Sequence, residues 1–203
     1  MKNEFSSEQR IFGLVLAGGK SSRMGSPKEL IEWHGKSQQL FLAELLNTRC
    51  EKVFISCRKE QTLNVDLDYP FLPDLEDGKG PLMAIHSAFV LEPNVAWFVL
   101  ACDLPYFDQA ALEFLLENRN EKKLATCYKS PIDEKAEPLC AIWEPNMREL
   151  VSNAITTEKR SPRRLLEQAD IQLIAPIEPK ILLNVNTQEE AEALFKLLDS
   201  SKS

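Results

Sequence analysis

The chain has 203 residues, with 24 basic and 31 acidic side chains and a formal net charge of −7 at pH 7. That length suits one domain with a substantial core, and we expect a single domain over 1–203 with flexible ends at 1–9 and 200–203. The acidic balance argues against a nucleic-acid partner, which would need a broad basic face. Any phosphate-binding charge must therefore be local.

The five cysteines are odd in number and include no Cys-x-x-Cys pair, and the chain has only two histidines. This composition argues against a disulfide framework and against a zinc site. The N-terminal segment is polar and includes acidic side chains, unlike a signal or transit peptide. Since no apolar run approaches the roughly 18–20 residues that span a bilayer, the sequence predicts a cytoplasmic protein with no membrane partner.

Apolar runs and helical spacings alternate along the first part of the chain. The apolar runs predict strands at 11–16, 52–57, 69–72 and 95–102. Helical spacings predict helices at 39–46 and 82–91, between these strands, and at 107–118, after the last of them, with Asp108 as its N-cap. This alternation predicts a three-layer, doubly wound α/β fold, whose mostly parallel sheet binds ligands at the carboxyl ends of its strands.

The second part of the chain carries shorter elements. We predict strands at 124–128, 138–143, 171–175 and 181–183. Helices are predicted at 145–154, 161–167 and 187–198. Ser161 is expected to cap the second of these helices, and Thr187 with Glu190 has the spacing of a capping box at the start of the third.

A glycine-rich loop follows the first predicted strand, with the sequence LAGGKSSRMG at 16–25. Gly18 and Gly19 let backbone amides approach an anion, and Arg23 and Lys28 add positive charge, so the loop is typical of a nucleoside triphosphate site. The spacing excludes the common P-loop and the Gly-x-Gly-x-x-Gly fingerprint. The alternative is a plain glycine turn with solvated cations.

Asp103 comes directly after the predicted strand 95–102 and should emerge at the same sheet edge as the glycine-rich loop. A carboxylate beside phosphates is repulsive unless a divalent cation lies between them, and Mg²⁺ binds through one or two carboxylates plus substrate phosphates. We therefore predict that Asp103 is a metal ligand. The alternative is an Asp that caps the turn before Pro105.

The turn-rich stretch 74–81 lies before the predicted helix 82–91. Gly78 and Gly80 free its backbone, and the helix amino terminus would face the same sheet edge, where it attracts anions. Asp74 could accept a hydrogen bond from a base or a ribose hydroxyl. A simple connecting loop explains the same residues equally well.

Other polar residues give weaker indications. His34 lies in a predicted turn and His86 in a predicted helix, and neither has a partner at metal-ligand spacing. The basic cluster 159–164 could receive an anionic substrate or form a solvated face. No Ser/His/Asp or Cys/His set emerges, which argues against covalent acyl chemistry.

Six motifs, in this order and spacing, together resemble the molybdenum cofactor guanylyltransferase (MobA-like) family of the nucleotidyltransferase superfamily. They are 16–25 with Lys28, 72–74, 80–82, 102–105, 137–139 and 184–187. The resemblance implies a Rossmann-like nucleotidyltransferase fold and the Mg²⁺-dependent transfer of GMP from GTP to molybdopterin, with release of pyrophosphate. It also implies a monomer or weak oligomer in transient contact with other molybdenum cofactor proteins.

The resemblance carries roles over to matching residues. Those implied to contact the nucleotide are Leu16, Ala17, Gly18, Gly19, Lys28, Asp74, Gly80 and Asp103. Asn184 and Asn186 would lie near the pterin. Arg23 and Lys28 would stabilise charge on the departing pyrophosphate, while Asp103 would hold Mg²⁺ against the α-phosphate. The acceptor phosphate is already anionic, so no general base is required.

Two positions depart from the family pattern. Pro27 stands where the family often has Asp, and Ala84 stands where it has a Gly associated with close approach of the base. These departures leave open a related nucleotidyltransferase that uses CTP or another acceptor. The alternative to an enzyme is a non-catalytic nucleotide-binding protein of the same fold.

Overall fold

The structure is a computed structural model, and it describes residues 10–17, 30–57, 68–185 and 190. The strands are β1 (Ile11–Leu16), β2 (Lys52–Cys57), β3 (Phe71–Pro73), β4 (Ala96–Ala101), β5 (Ala125–Lys129), β6 (Ala136–Trp143) and β7 (Gln172–Ile174). The α-helices are α1 (Gln38–Asn47), α2 (Pro81–Leu91), α3 (Gln109–Glu117), α4 (Arg148–Thr156) and α5 (Pro162–Glu167). Pro145–Met147 and Pro179–Leu182 form short 3₁₀ helices.

The seven described strands form one sheet in the order β3-β2-β1-β4-β6-β5-β7. Only β6 runs against its neighbours, so the prediction of a mostly parallel sheet is confirmed. The strand order reverses between β1 and β4, which is where doubly wound sheets bind ligands. Leu16, at the end of β1, lies opposite Ser56 on β2 and Ala101 on β4.

Helices cover both faces of this sheet and make the predicted three layers. α1 and α3 pack on the face to which Val15 and Ile55 point. α2, α4 and α5 pack on the face to which Phe12 and Leu14 point. Because successive strand residues face opposite sides, β1 and β4 contribute apolar side chains to both cores, and every residue of β4 is buried.

Gly13, in the middle of β1, permits close approach of α1. A Cβ at this position would lie 3.1 Å from the Leu46 Cβ and from a methyl group of Val53. Such a distance is shorter than ordinary van der Waals contact. The absence of a side chain at Gly13 therefore sets how closely α1 packs against the sheet.

The predicted helix caps at Asp108 and Ser161 are confirmed. The Asp108 carboxylate accepts from the Ala111 amide at 2.9 Å, and the Ser161 hydroxyl accepts from the Arg164 amide at 3.4 Å. Both bonds satisfy an amide that has no partner within its own helix turn. Local side-chain chemistry thus starts α3 and α5.

Two predicted elements differ in the structure. The strand expected at 181–183 is wrong, because Pro179–Leu182 forms a 3₁₀ helix that buries Ile181 and Leu182 against the α1 and α3 core. A short apolar run predicts burial without fixing the backbone conformation, and Pro179 presets a helical φ at the first position. The helix expected at 145–154 begins as a 3₁₀ turn and continues as α4. The helix expected at 187–198 lies outside the described residues except for Glu190, which is helical.

A buried ion pair closes the sheet edge at which β4 begins. The Arg119 guanidinium donates two hydrogen bonds to the Glu144 carboxylate, at 2.7 and 2.8 Å. The two side chains are only 9% and 3% exposed. This pair ties the end of α3 to the end of β6, at the opposite end of the strands from Asp103.

No helix in the described part of the chain has the length and apolar character needed to cross a lipid bilayer.

Candidate active site

The candidate site lies at the carboxyl ends of β1 and β4. The Cys102 amide donates to the Leu16 carbonyl at 3.3 Å, and the Ala17 amide donates to the Ser56 carbonyl at 3.1 Å. Asp103 follows Cys102 directly. Leu16, Ala17 and Asp103 therefore leave adjacent strands side by side, as the strand order requires.

The segment around Asn184 reaches the same edge of the sheet. The Val185 amide donates to the Asp103 carbonyl at 3.0 Å. Asn184 precedes this contact and is exposed to solvent. The fold thus brings Asn184 next to the turn that carries Asp103, although the two residues are far apart in the sequence.

Asp74 sits at the end of β3 and is 8% exposed. Its amide donates to the Cys57 carbonyl at 3.2 Å, and its Oδ1 accepts from the Ser56 hydroxyl at 3.1 Å. The next amide, that of Leu75, donates to the Ser87 hydroxyl on α2 at 3.0 Å. Two buried serines thus fix the start of the 74–80 loop from both sides.

Neither serine was predicted from the sequence as a site residue. Ser56 interrupts the apolar run of β2, and Ser87 follows His86 on a helix whose other residues are apolar. A hydroxyl in such a place must find a hydrogen-bond partner once buried. That was the signal available in the sequence, but it does not identify the partner.

The 74–80 loop enters α2 through two glycines with positive φ. Gly78 has φ +74°, and Gly80, the N-cap residue, has φ +80° and ψ −177°. Pro81 occupies the first helical position, where its missing amide costs nothing. Gly80 has no side chain with which to cap this helix end. Because the loop starts at the end of β3, the amino terminus of α2, with its positive dipole end, lies toward the carboxyl edge of the sheet. Ala84 is buried within the helix.

We expect Gly80→Ala to lower the affinity for GTP about tenfold. Backbone near φ +80° with extended ψ is open almost only to glycine and costs other residues about 1–3 kcal/mol, so the loop should relax away from its present path. Calorimetric titration with GTP measures the effect. Gly13→Ala is the matched control, because it strains the core far from this loop and should lower the Tm without changing GTP affinity. Equal GTP affinity in Gly80→Ala and the unchanged protein would show that the loop conformation does not matter for binding.

Two titratable side chains close to the 74–80 loop, Cys57 and His86, stay neutral near pH 7. Burial, and to a lesser degree the charge of Asp74, raises the pKa of Cys57 to about 11. Burial lowers the pKa of His86 below its ordinary value, against the opposing charge of Glu76. Cys57 is thus a thiol, which is neither a nucleophile nor a metal ligand.

The basic cluster 159–164 is paired with carboxylates at two of its arginines. Arg163 donates to Asp133 at 2.8 Å and to Glu137 at 3.0 Å, and Arg160 donates to Glu158 at 2.8 Å. Arg163 therefore holds the start of α5 against the β5–β6 hairpin and the start of β6. This pairing favours the interpretation of a solvated, ion-paired face over that of an open anion receptor.

A cavity of about 380 Å³ lies at the opposite edge of the sheet, before β1 begins. Its walls carry the ion pairs Arg10–Glu51 and Arg49–Glu113. The ion pairs leave these charges already matched. We place the candidate site at the carboxyl edge instead, because ligands of doubly wound sheets bind there.

Asp103 fits a Mg²⁺ ligand by its chemistry. Within residues 10–17, 30–57, 68–185 and 190, no group of three or more His, Cys, Asp or Glu side chains could hold a metal by itself. Mg²⁺ does not need such a group, since one or two carboxylates suffice when substrate phosphates supply the other oxygens. A single carboxylate beside the predicted triphosphate loop suits that arrangement.

Several predicted site residues lie outside the described residues. They are Gly18, Gly19, Arg23, Lys28 and Asn186. Their roles stay predictions.

The sequence of this chain matches a family model and several known proteins. A family model described as "MobA-like NTP transferase domain" matches residues 13–173. The chain is 35% identical over 185 residues to the molybdenum cofactor biosynthesis bifunctional protein of Synechocystis, covering 91% of this chain and 53% of that relative. It therefore spans about half the length of that relative. It is 31% identical over 182 residues to the molybdenum cofactor guanylyltransferase of Pseudomonas fluorescens, covering 87% and 89% of the two chains.

Solved structures share the fold. The molybdopterin-guanine dinucleotide biosynthesis protein A of Archaeoglobus fulgidus matches with a TM-score of 0.77 and 23% identity, over 95% of this chain and 100% of that one. The 2-C-methyl-D-erythritol 4-phosphate cytidylyltransferase of Thermus thermophilus matches with a TM-score of 0.71 and 12% identity, over 94% and 100%. At these identities the likeness extends to the α/β fold alone.

Proposed function

Because the chain belongs to the family of MobA-like NTP transferase domains, we propose that it is a molybdenum cofactor guanylyltransferase, which transfers GMP from GTP to molybdopterin and releases pyrophosphate. The resemblance that the sequence motifs indicate is confirmed at the level of the family. The observation that carries the proposal is the relative named as such an enzyme, which is 31% identical over nearly its full length. The position of Asp103 beside Leu16 and Ala17, at the strand-order reversal, agrees with it.

In the proposed reaction, the protein mainly positions the two substrates and neutralises the charge of their phosphates. Leu16 and Ala17 would contact the nucleotide at the end of β1, and Asp74 would bind its guanosine part. Asp103 would hold Mg²⁺, which when bound supplies positive charge next to the phosphates. Arg23 and Lys28 would stabilise the charge that develops on the leaving pyrophosphate. The acceptor phosphate, oriented near Asn184 and Asn186, needs no base to become nucleophilic.

We expect GTP to stabilise the protein more than CTP, ATP or UTP when each is added with Mg²⁺. A ligand at about 100 times its Kd adds roughly 2.7 kcal/mol to the free energy of unfolding, which raises the Tm of a domain of this size by about 5–11 °C. Thermal-shift measurements compare the four nucleotides directly. A larger shift with CTP would contradict guanine selectivity and favour the cytidylyl alternative that Pro27 and Ala84 leave open.

Group transfer is tested by release of pyrophosphate from GTP and Mg²⁺ after molybdopterin is added. The proposal requires pyrophosphate and the dinucleotide product in equal amounts, and neither without molybdopterin. Nucleotide binding with no pyrophosphate release would favour the non-catalytic alternative.

The remaining parts of the proposal follow from the sequence and from the family resemblance. We propose a cytoplasmic protein that acts on small molecules as a monomer or weak oligomer. Transient contacts with other molybdenum cofactor proteins and a single domain over 1–203 stay predictions. Size-exclusion chromatography with light scattering tests the oligomeric state.

A further inference from the structure

The segment that leads into α1 lies against the turn that carries Asp103. His34 contacts the Pro105 carbonyl through its Nε2, at 3.0 Å. A carbonyl only accepts hydrogen bonds, so this Nε2 carries the proton and donates. The His34 ring also stacks on Phe41, with 3.9 Å between the ring centroids. His34 is thus held on one side by α1 and bound on the other to the residue two positions after Asp103.

Gln38, the first residue of α1, makes a second contact with the same turn. Its side chain is fully buried, and its Nε2 donates to the Leu104 carbonyl at 3.3 Å. Among the described residues, its Oε1 has no hydrogen-bond partner. A buried acceptor without a partner is unfavourable, so an apolar residue of the same size would suit this core position better for stability alone.

The Leu104 carbonyl would keep a hydrogen bond without Gln38. It also accepts from the Phe107 amide, at 3.2 Å. Removing the Gln38 amide would thus leave no new unpaired group in the turn. What Gln38 adds is a fixed link between α1 and the residue directly after Asp103.

A small apolar cluster joins a third segment to these two. Trp33 and Val185 are both buried and pack together, with Ile31 and Tyr106 partly buried against them. The Val185 amide donates to the Asp103 carbonyl. The 31–38 segment, the 103–107 turn and the Asn184–Val185 segment therefore form one unit, which we call the Asp103 clamp.

We propose that His34 and Gln38 are positioning residues that fix Asp103 for metal binding by holding the two carbonyls that follow it. The inference rests on the proposed function of Asp103. When a metal is held by one protein carboxylate, its position depends on how well the backbone of that residue is fixed, and outer contacts that orient a ligand commonly change affinity or activity 10- to 100-fold. The clamp also joins the 31–38 segment, which comes after the glycine-rich loop in the sequence, to Asn184, so the nucleotide and acceptor sides would share one support.

His34→Phe and Gln38→Met test this role. Phe keeps a ring to stack on Phe41 and removes the donor, and Met keeps the length of Gln and removes the amide. We expect each variant to lower kcat about tenfold and to weaken Mg²⁺ binding to the GTP complex about tenfold by calorimetry. By linkage, the affinity for GTP in the presence of Mg²⁺ should fall by a similar factor, while the affinity for GTP without Mg²⁺ should change less than about threefold. In the protein without ligands, hydrogen–deuterium exchange in 103–107 should become faster.

The Tm separates positioning from a purely structural role. Gln38→Met removes the unpaired Oε1, so its Tm should be equal to or higher than that of the unchanged protein although its kcat falls. Thr126→Val is the matched control, because the buried Thr126 hydroxyl accepts from the Asn120 amide at 3.0 Å near the opposite edge. It should leave kcat, Mg²⁺ affinity and exchange in 103–107 unchanged.

Two results would overturn the inference. One is unchanged Mg²⁺ affinity and exchange in both variants, and the other is a loss of activity in Gln38→Met that follows a parallel fall in Tm. The exchange measurement needs no substrate, and Mg²⁺ binding needs no acceptor. If the unchanged protein released no pyrophosphate, the proposed function would fail on that assay, while these two measurements would still decide whether the clamp fixes Asp103.

Discussion

Asp103→Asn is expected to lower kcat/KM for GMP transfer about 10²- to 10³-fold. Asn has the shape of Asp but no negative charge, so it would bind Mg²⁺ weakly and leave the phosphate charges less neutralised. By analogy, the loss of one group that stabilises transition-state charge costs about 2.7–4 kcal/mol. The substitution leaves the contact with the Val185 amide in place, because that contact uses the Asp103 carbonyl and not its side chain. Steady-state kinetics at several Mg²⁺ concentrations measures the loss.

Asp108→Asn is the matched control for this substitution. It removes the same charge five positions further along, where the side chain caps α3 by accepting from the Ala111 amide. Asn is as good an N-cap as Asp, so both stability and turnover should be nearly unchanged. If Asp103→Asn folded and kept full turnover, Asp103 would not be the metal ligand.

Among the substitutions proposed here, Glu144→Gln is expected to lower the free energy of unfolding most, by about 3 kcal/mol. Breaking a buried pair leaves one charge without compensation, which commonly costs about 3–5 kcal/mol. The lower value applies here because Arg119 also contacts Glu121 at 3.1 Å. Burial by itself lowers the pKa of Arg119, and the hydrogen bonds and charge of Glu144 raise it above its ordinary value. The variant loses that support, but the guanidinium still stays charged because arginine is not deprotonated in proteins. For a domain of this size the Tm should fall by about 6–12 °C.

Two further variants make the stability prediction specific. Glu51→Gln breaks the Arg10–Glu51 pair, whose side chains are 35% and 41% exposed, and a solvent-screened surface pair adds little to stability. The double variant Arg119→Met/Glu144→Leu removes both buried charges and should recover much of the stability. Because the pair lies at the opposite end of the strands from Asp103, Glu144→Gln should keep its kcat at temperatures well below its Tm. A Tm equal to that of Glu51→Gln would contradict the prediction.

Local patterns in the sequence were sufficient for much of the fold. The apolar runs placed β1 and β2 with their observed bounds, and β4 to within one residue at each end. The caps Asp108 and Ser161 were found because each bond joins residues three positions apart. The position of Asp103 beside the end of β1 also followed, since parallel strands that alternate with helices direct their carboxyl ends to one edge.

Contacts between distant segments needed the tertiary structure. His34 and Pro105 are 71 residues apart, and Gln38 and Leu104 are 66 apart. In the sequence His34 was a turn histidine, and no sequence pattern distinguished Gln38. A donor's type is visible in a sequence, but its partner depends on which loops the fold brings together.

The sequence by itself determined the alternating α/β elements, the strand ends that carry Leu16 and Asp103, and the motifs that indicate the family. Only the tertiary structure decided that β6 runs against its neighbours, that 179–182 is a 3₁₀ helix, and that the 31–38, 103–107 and 184–185 segments form one clamp. The physical reason is the distance along the chain over which each kind of interaction acts. Apolar periodicity and helix capping act within a few residues, whereas strand direction and side-chain partners are set by packing across the whole domain.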